Sequence, residues 1–205
     1  MKLYLPEIYP DELVYSWFSR FAVYEGFPAN MHALEALFCD RQQDDPSKEF
    51  IGNINGVTRD YIDKTYSMND FVLRHTMYAE YASFIPQEQK LVALYKLGYE
   101  HEDVHHLLPI IPRGKKEQYL KYCPICAKED RDLYGETYWH RKHQIRNMMV
   151  CAKHKCMLED SNVFVNSKYS RMLIAAEMII PYSELCMEVK NPLQIQYAEY
   201  IEQIF

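Results

Sequence analysis

Apolar residues at Leu13, Trp17, Phe21 and Tyr24 lie close to the spacing of one helical face, directly after Pro10-Asp11. Asp11 is placed to cap that helix and Gly26 to end it. Gly26-Phe27-Pro28-Ala29 reads as a turn, and Asn30 can cap a second short helix whose apolar side is Leu34, Leu37 and Phe38. Helix, tight turn, helix is the outline of a helix-turn-helix, and equally of any helical hairpin. A polar connection over 40–56 carries Asp44-Asp45-Pro46-Ser47, Gly52 and Gly56, and gives way to helices predicted at 59–66, 69–78 and 87–97. The pattern assigns residues 1–112 to one helical domain.

Pro109-Ile110-Ile111-Pro112 breaks the helical pattern and marks a boundary. Beyond it, Tyr119-Leu120-Lys121-Tyr122 predicts a strand, Lys128–Leu133 a helix, Gly135 a turn, and Met157-Leu158 and Val163-Phe164-Val165 two short strands. Residues 171–180 and 192–205 return to helical spacing, and the chain closes on the apolar-rich run Tyr200-Ile201-Glu202-Gln203-Ile204-Phe205. That run reads either as part of a longer chain or as a face awaiting a partner, a second copy included. The fold class expected is mainly α with a small β zinc-ribbon or zinc-finger element. A helix-turn-helix-like domain over 1–112 precedes a zinc-binding module over 113–165 and a helical segment over 166–205.

The expected cofactor follows from cysteine spacing. Cys123-Pro124-Ile125-Cys126 and Cys151-Ala152-Lys153-His154 are two tight turns, each presenting a pair of ligands, separated by 24 residues. A zinc ion takes four such donors at about 2.0–2.3 Å, and four protein ligands leave no open coordination position. One structural Zn2+ is therefore expected, worth on the order of 10–16 kcal/mol of folding energy in small zinc peptides. A redox Cys-x-x-Cys would call for a thioredoxin-like strand and helix pattern, which is missing. Cys156, His140 and His143 stand near enough in sequence to substitute for a ligand, whereas Cys39 and Cys186 have no matching spacing.

Charge narrows the partners. The net charge of −6 conceals a segregation in which residues 113–155 carry +6 between flanks of −8 and −4. A basic module between acidic ones suits a local contact with phosphate or an acidic protein, not tight non-specific DNA binding. Arg113, Lys115, Lys116 and Lys121 are the candidate phosphate contacts, with Arg141, Lys142 and Arg146 on the zinc loop as further DNA or partner contacts. Trp139 on the same loop is expected in the core, and the 18 tyrosines read as core and half-buried residues, not a base-stacking row. No leader-like or membrane-spanning apolar run is present, so a cytoplasmic protein with reduced cysteines and no membrane partner is expected.

Catalytic patterns are weak. His101-Glu102-Asp103-Val104-His105 fits the His-Glu-x-x-His form of zinc peptidases, but Gly98 and Pro109 leave little helix to present it, and no third ligand follows at a zincin spacing. Phosphate loops, nucleophile elbows and paired-metal carboxylates are missing too, so no enzyme is expected and no catalytic residue is assigned.

Several segments together resemble the TniQ/TnsD family of transposon target-selection proteins. They are Leu5-Pro6, Tyr9-Pro10-Asp11-Glu12-Leu13, Tyr15-Ser16-Trp17 and Arg20 at the start; Tyr122-Cys123-Pro124-Ile125-Cys126, Asp130 and Tyr134-Gly135-Glu136; then Tyr138-Trp139-His140-Arg141, His143-Gln144, Cys151-Ala152-Lys153-His154 and Leu158. The chain departs from the family at Arg146-Asn147-Met148-Met149, where a small pair such as Gly-Val is common, and at Ala152, where proline is common. The resemblance implies an N-terminal helix-turn-helix followed by zinc elements. It also implies a non-enzymatic adaptor that links a target site, either specific DNA or an RNA-guided CRISPR effector, to the AAA+ ATPase TnsC. A sequence-specific DNA-binding regulator is the alternative, and residues 30–38, with Glu35 and no Lys or Arg, match the major groove poorly.

Overall fold

The computed structural model describes residues 4–26, 30–39, 48–100, 107–109, 119–165 and 172–204. The chain forms two compact units, one of Met1–Pro112 with Ser167–Leu173, the other of Arg113–Asn166 with Ile174–Phe205. The described residues are mainly helical, with one two-stranded sheet.

The first unit holds α1 (Val14–Tyr24), α2 (Asn30–Leu37), α3 (Gly56–Tyr66), α4 (Met68–His75), α5 (Tyr78–Ala82) and α6 (Gln87–Tyr95). Trp17 on α1 is fully buried against Phe18, Tyr61, Tyr66 and Phe71, and its indole Nε1 donates to the Pro6 carbonyl at 2.6 Å. Asp11 does not cap α1. It sits in the left-handed region at φ 57°, and the helix starts at Val14 without a side-chain cap. The neighbouring Glu12 governs the start instead: its buried carboxylate accepts from Tyr9 N at 3.0 Å and from Arg20 Nε and Nη2 at 2.9 and 2.8 Å. Arg20 stacks 3.8 Å over the Tyr9 ring and donates to the Glu7 carbonyl, so the buried charge pair is wrapped in further partners.

The helix predicted over 69–78 is broken in two. Thr76 has extended backbone, and its hydroxyl donates to the Val72 carbonyl and accepts from Tyr78 N, ending α4 and starting α5. After α6 the chain continues as a π-helical turn, Lys96–Glu100, in which Gly98 passes so close to Met68 that an added Cβ would lie 2.6 Å from its Cγ. The turn at 27–29 and the His-Glu-x-x-His segment lie outside the described residues.

The second unit is built on β1 (Tyr119–Tyr122) and β2 (Glu159–Phe164), paired antiparallel with Tyr119 opposite Phe164 and Tyr122 opposite Glu159. β1 runs directly into α7 (Pro124–Tyr134), which ends at Gly135 in the left-handed region at φ 84°. The helix predicted over 171–180 is reduced to a single 3-10 turn, Ala176–Met178. Tertiary ties hold that stretch open: Trp139 Nε1 donates to the Ile174 carbonyl at 2.9 Å, and Arg131 donates to Glu177 and to the Ile180 and Pro181 carbonyls. Trp139 is fully buried, the core position expected of it. α8 (Pro192–Ile204) buries Ala198 and Ile201, while Glu199 and Glu202 pair with Lys155 and Lys142. Among the described residues, no helix is long and apolar enough to cross a membrane.

Candidate metal centre

The first ligand pair is set by a strand-to-helix junction. Cys123 leaves β1 with extended backbone and serves as the N-cap of α7, its Sγ accepting from Cys126 N at 3.4 Å, with Pro124 in the first turn where no amide hydrogen is needed. Cys126 follows in that same turn, so both sulfurs gather at the positive end of α7, which favours thiolates. The second pair sits on a tight turn closed by Lys155 N to Cys151 O at 2.9 Å and Cys151 N to Cys156 O at 2.8 Å. Val150 bridges Met157 beside it.

These turns bring the four donors together. His154 Nδ1 lies 3.4, 3.3 and 3.6 Å from the sulfurs of Cys123, Cys126 and Cys151, and Cys126 and Cys151 are 3.7 Å apart. All four ligand atoms lie within 4.8 Å of one another, and the three cysteines are buried. Bonds of about 2.0–2.3 Å from a central ion would place tetrahedral donors about 3.3–3.8 Å apart, so the donor set fits one metal ion. On the far side of the imidazole, Glu129 Oε2 stands 3.1 Å from His154 Nε2 and also receives Lys153 Nζ. A carboxylate there favours the hydrogen on Nε2 and leaves the Nδ1 lone pair for the sulfur side.

Hydrogen bonds from Cys123 and Cys126 hold the Cys151 thiol far below its ordinary range, against the effect of burial, with a further contribution from His143. Cys126 is pushed far up by sharing with Cys123 and Cys151 and by burial. Cys126 pulls the Cys123 thiol down, but Cys151 and burial outweigh it and raise Cys123 to about 12. Three thiols crowded together in a buried site compete for ionisation, and a divalent cation would favour the thiolate form of all of them.

The other sequence candidates separate clearly. Cys156 Sγ is 3.5 Å from Cys123 Sγ but is joined in a disulfide to Cys186, so it is withdrawn from ligation, whereas Cys123, Cys126 and Cys151 are free thiols. His140 is turned away, its Nε2 2.9 Å from the buried Asp130 carboxylate and its ring stacked 4.2 Å from Tyr138. His143 does face the cluster, with Nε2 3.9 Å from Cys126 Sγ.

The basic residues fare unevenly as surface contacts. Lys121 is only 6% exposed, its Nζ donating to the Met148 carbonyl at 2.9 Å, because β1 pairs on one side and the Gln144 side chain clamps its backbone on the other. Arg141 is also buried. Neither presents its charge outward in this structure. Lys142 pairs with Glu202 at 2.7 Å and Arg146 is half-buried. Arg113, Lys115 and Lys116 lie outside the described residues. The Gln144 clamp and the Asp130–Thr137–His140 network carried no spacing signal in the sequence, nor did the Cys156–Cys186 bridge.

Comparison with known proteins adds two findings. A family model described as TniQ matches residues 3–158, from the segment before α1 to the end of the second ligand turn. A curated relative, "Transposon Tn7 transposition protein TnsD" of Escherichia coli, is 26% identical over 157 residues, which cover 75% of this chain and 30% of that protein.

Proposed function

The chain belongs to the TniQ family, and from that membership we propose that it is a non-enzymatic target-selection adaptor in DNA transposition, held in shape by one structural zinc ion. The observation that carries the reading is the single match over residues 3–158, which takes in both the Glu12–Arg20 region and the complete Cys123, Cys126, Cys151 and His154 cluster. Its curated relative is by its name a transposition protein, and this chain spans 30% of that relative's length.

Zinc is the metal of choice for three sulfurs and one imidazole in a tetrahedral cluster, and all four positions are filled by protein. The ion would act by cross-linking the N-terminus of α7 to the turn at 151–154, which fixes both ends of the intervening loop. Preordering that surface removes entropy that a partner would otherwise have to overcome. Arg113, Lys115, Lys116, Lys142 and Arg146 are the residues offered to DNA or protein in this reading. The partners proposed are the AAA+ ATPase TnsC on one side, and target DNA or an RNA-guided CRISPR effector on the other, with a homodimer as the assembly to test alongside.

A pull-down tests the proposal directly. Zinc-loaded protein should retain the AAA+ ATPase encoded by the same transposon, with or without DNA, and a Cys151→Ser variant should lose it. An ATPase that ignores wild type under every condition removes the recruitment reading. Strong preference among DNA duplexes, with steep salt dependence and no ATPase binding, would instead support the DNA-binding regulator.

A further inference from the structure

His143 is buried, yet its surroundings explain only half of its ring. Its Nε2 lies 3.9 Å from Cys126 Sγ, and its Nδ1 is buried with no hydrogen-bond partner among the described residues. A neutral imidazole carries one N–H and one lone pair. Sulfur ligands of a cation can only accept, so the nitrogen that faces them must carry the hydrogen. That choice leaves the Nδ1 lone pair bare inside the protein, an arrangement that is unfavourable unless the Nε2–H contact compensates.

The position is rigidly imposed. His143 sits in the 3-10 turn Lys142–Gln144, and the Gln144 side chain donates to the carbonyls of Lys121 and His140 at 2.8 and 2.9 Å while accepting from Lys121 N. The His140 ring, which already occupies the Asp130 carboxylate, flanks His143 at 4.8 Å. Demand for a donor is also uneven around the cluster. Cys123 Sγ already receives a backbone N–H from Cys126, whereas no backbone N–H among the described residues points at the sulfurs of Cys126 or Cys151. A divalent ion with three thiolates and a neutral histidine leaves one net negative charge in a buried site, and hydrogen bonds to the sulfurs offset it.

We propose that His143 is a positioning residue of the metal centre, donating Nε2–H to the Cys126 thiolate from outside the coordination sphere. This inference rests on the metal reading above and adds to it a residue that is not a ligand. Its effect is to lower the electron donation of that sulfur and to hold it in the geometry the ion needs.

Wild type, His143→Gln and His143→Phe full-length chains, each confirmed as folded by far-ultraviolet circular dichroism, distinguish the possibilities. Metal content, zinc affinity by competition with a chromophoric chelator, and the sulfur-to-metal charge-transfer band of the cobalt(II) form are measured for each. Wild type should bind about one metal per chain. His143→Phe should lose about 10–100-fold in affinity and shift the band to lower energy, as an outer-sphere partner would. His143→Gln keeps an N–H donor and should recover most of both. An unchanged band and affinity in His143→Phe overturns the proposal alone, as does a cobalt spectrum showing a lost ligand, which would make His143 a coordinating residue. Should His143→Phe fail to fold, a His143→Gln band far from that of wild type overturns it. Wild type without metal overturns the metal reading itself.

Discussion

Arg20 and Glu12 show how much can hang on a single pair. Both side chains are almost completely buried, and each is the principal counter-charge of the other. Arg20→Ala would leave the Glu12 carboxylate without that charge and should cost about 3–5 kcal/mol in urea unfolding followed at the first unit, while the double variant Glu12→Gln, Arg20→Met should cost much less. The sequence pointed to the wrong neighbour here: Asp11 has cap chemistry, but its backbone is left-handed, and the acid one position on does the work through tertiary contacts. Cys123, Cys126, Cys151 and His154 were legible for the opposite reason. Their chemistry is set by short local turns, so spacing alone carries the information. The burial of Lys121 was not legible, because a lysine in a strand looks solvated until one sees that the Met148 carbonyl takes its ammonium.

Helices and turns answer to their neighbours as well as to their own propensities. The stretch 171–180 has helical spacing, but Glu177 is held by Arg131 Nε at 2.8 Å and Thr137 N at 3.0 Å, and by the Tyr182 hydroxyl. Burial alone would raise the Glu177 carboxyl, but the bonds from Tyr182, Thr137 and Arg131 outweigh it and hold the group below the usual carboxylate range. Since folding weakens proton binding there, the stabilisation is complete above the ordinary carboxylate range and is lost as pH falls through the lowered value. Thermal unfolding between neutral and acid pH should therefore be less pH-dependent in Glu177→Gln than in wild type. Gly98 makes a comparable point for the π-turn. Gly98→Ala should destabilise the first unit by about 1–3 kcal/mol in chemical denaturation, and Met68→Ala in the same chain should recover part of that loss. Neither close approach nor a threonine break such as Thr76 leaves a periodic trace in sequence, which is why α4 and α5 read as one helix.

The whole molecule consists of two units with different sources of stability. The first has an aromatic core around Trp17, whereas in the second the two-stranded sheet and α7 are gathered on a donor cluster. Chelation of metal-loaded protein should therefore shift Trp139 fluorescence toward that of a solvated indole and leave Trp17 emission in place, with Trp17→Phe and Trp139→Phe variants assigning each signal. Equal loss of both signals would show that the units do not hold independently. Coarse architecture was legible at this scale, helical first and gathered on a cysteine–histidine cluster afterwards, because hydrophobic period and cysteine spacing are properties of the chain itself. The disulfide between Cys156 and Cys186 was not, because it depends on where residues 30 apart in sequence are brought together.

The split between the two ligand pairs has a consequence during synthesis. Cys123 and Cys126 leave the ribosome as bare sulfurs, and the last donor, His154, follows only after a further 28 residues have emerged. At cellular elongation rates that is a wait of about 1–6 s. Throughout it, half of the donor set is open to oxidants and to competing ions, so loading of the proposed zinc would be a race between translation and thiol chemistry.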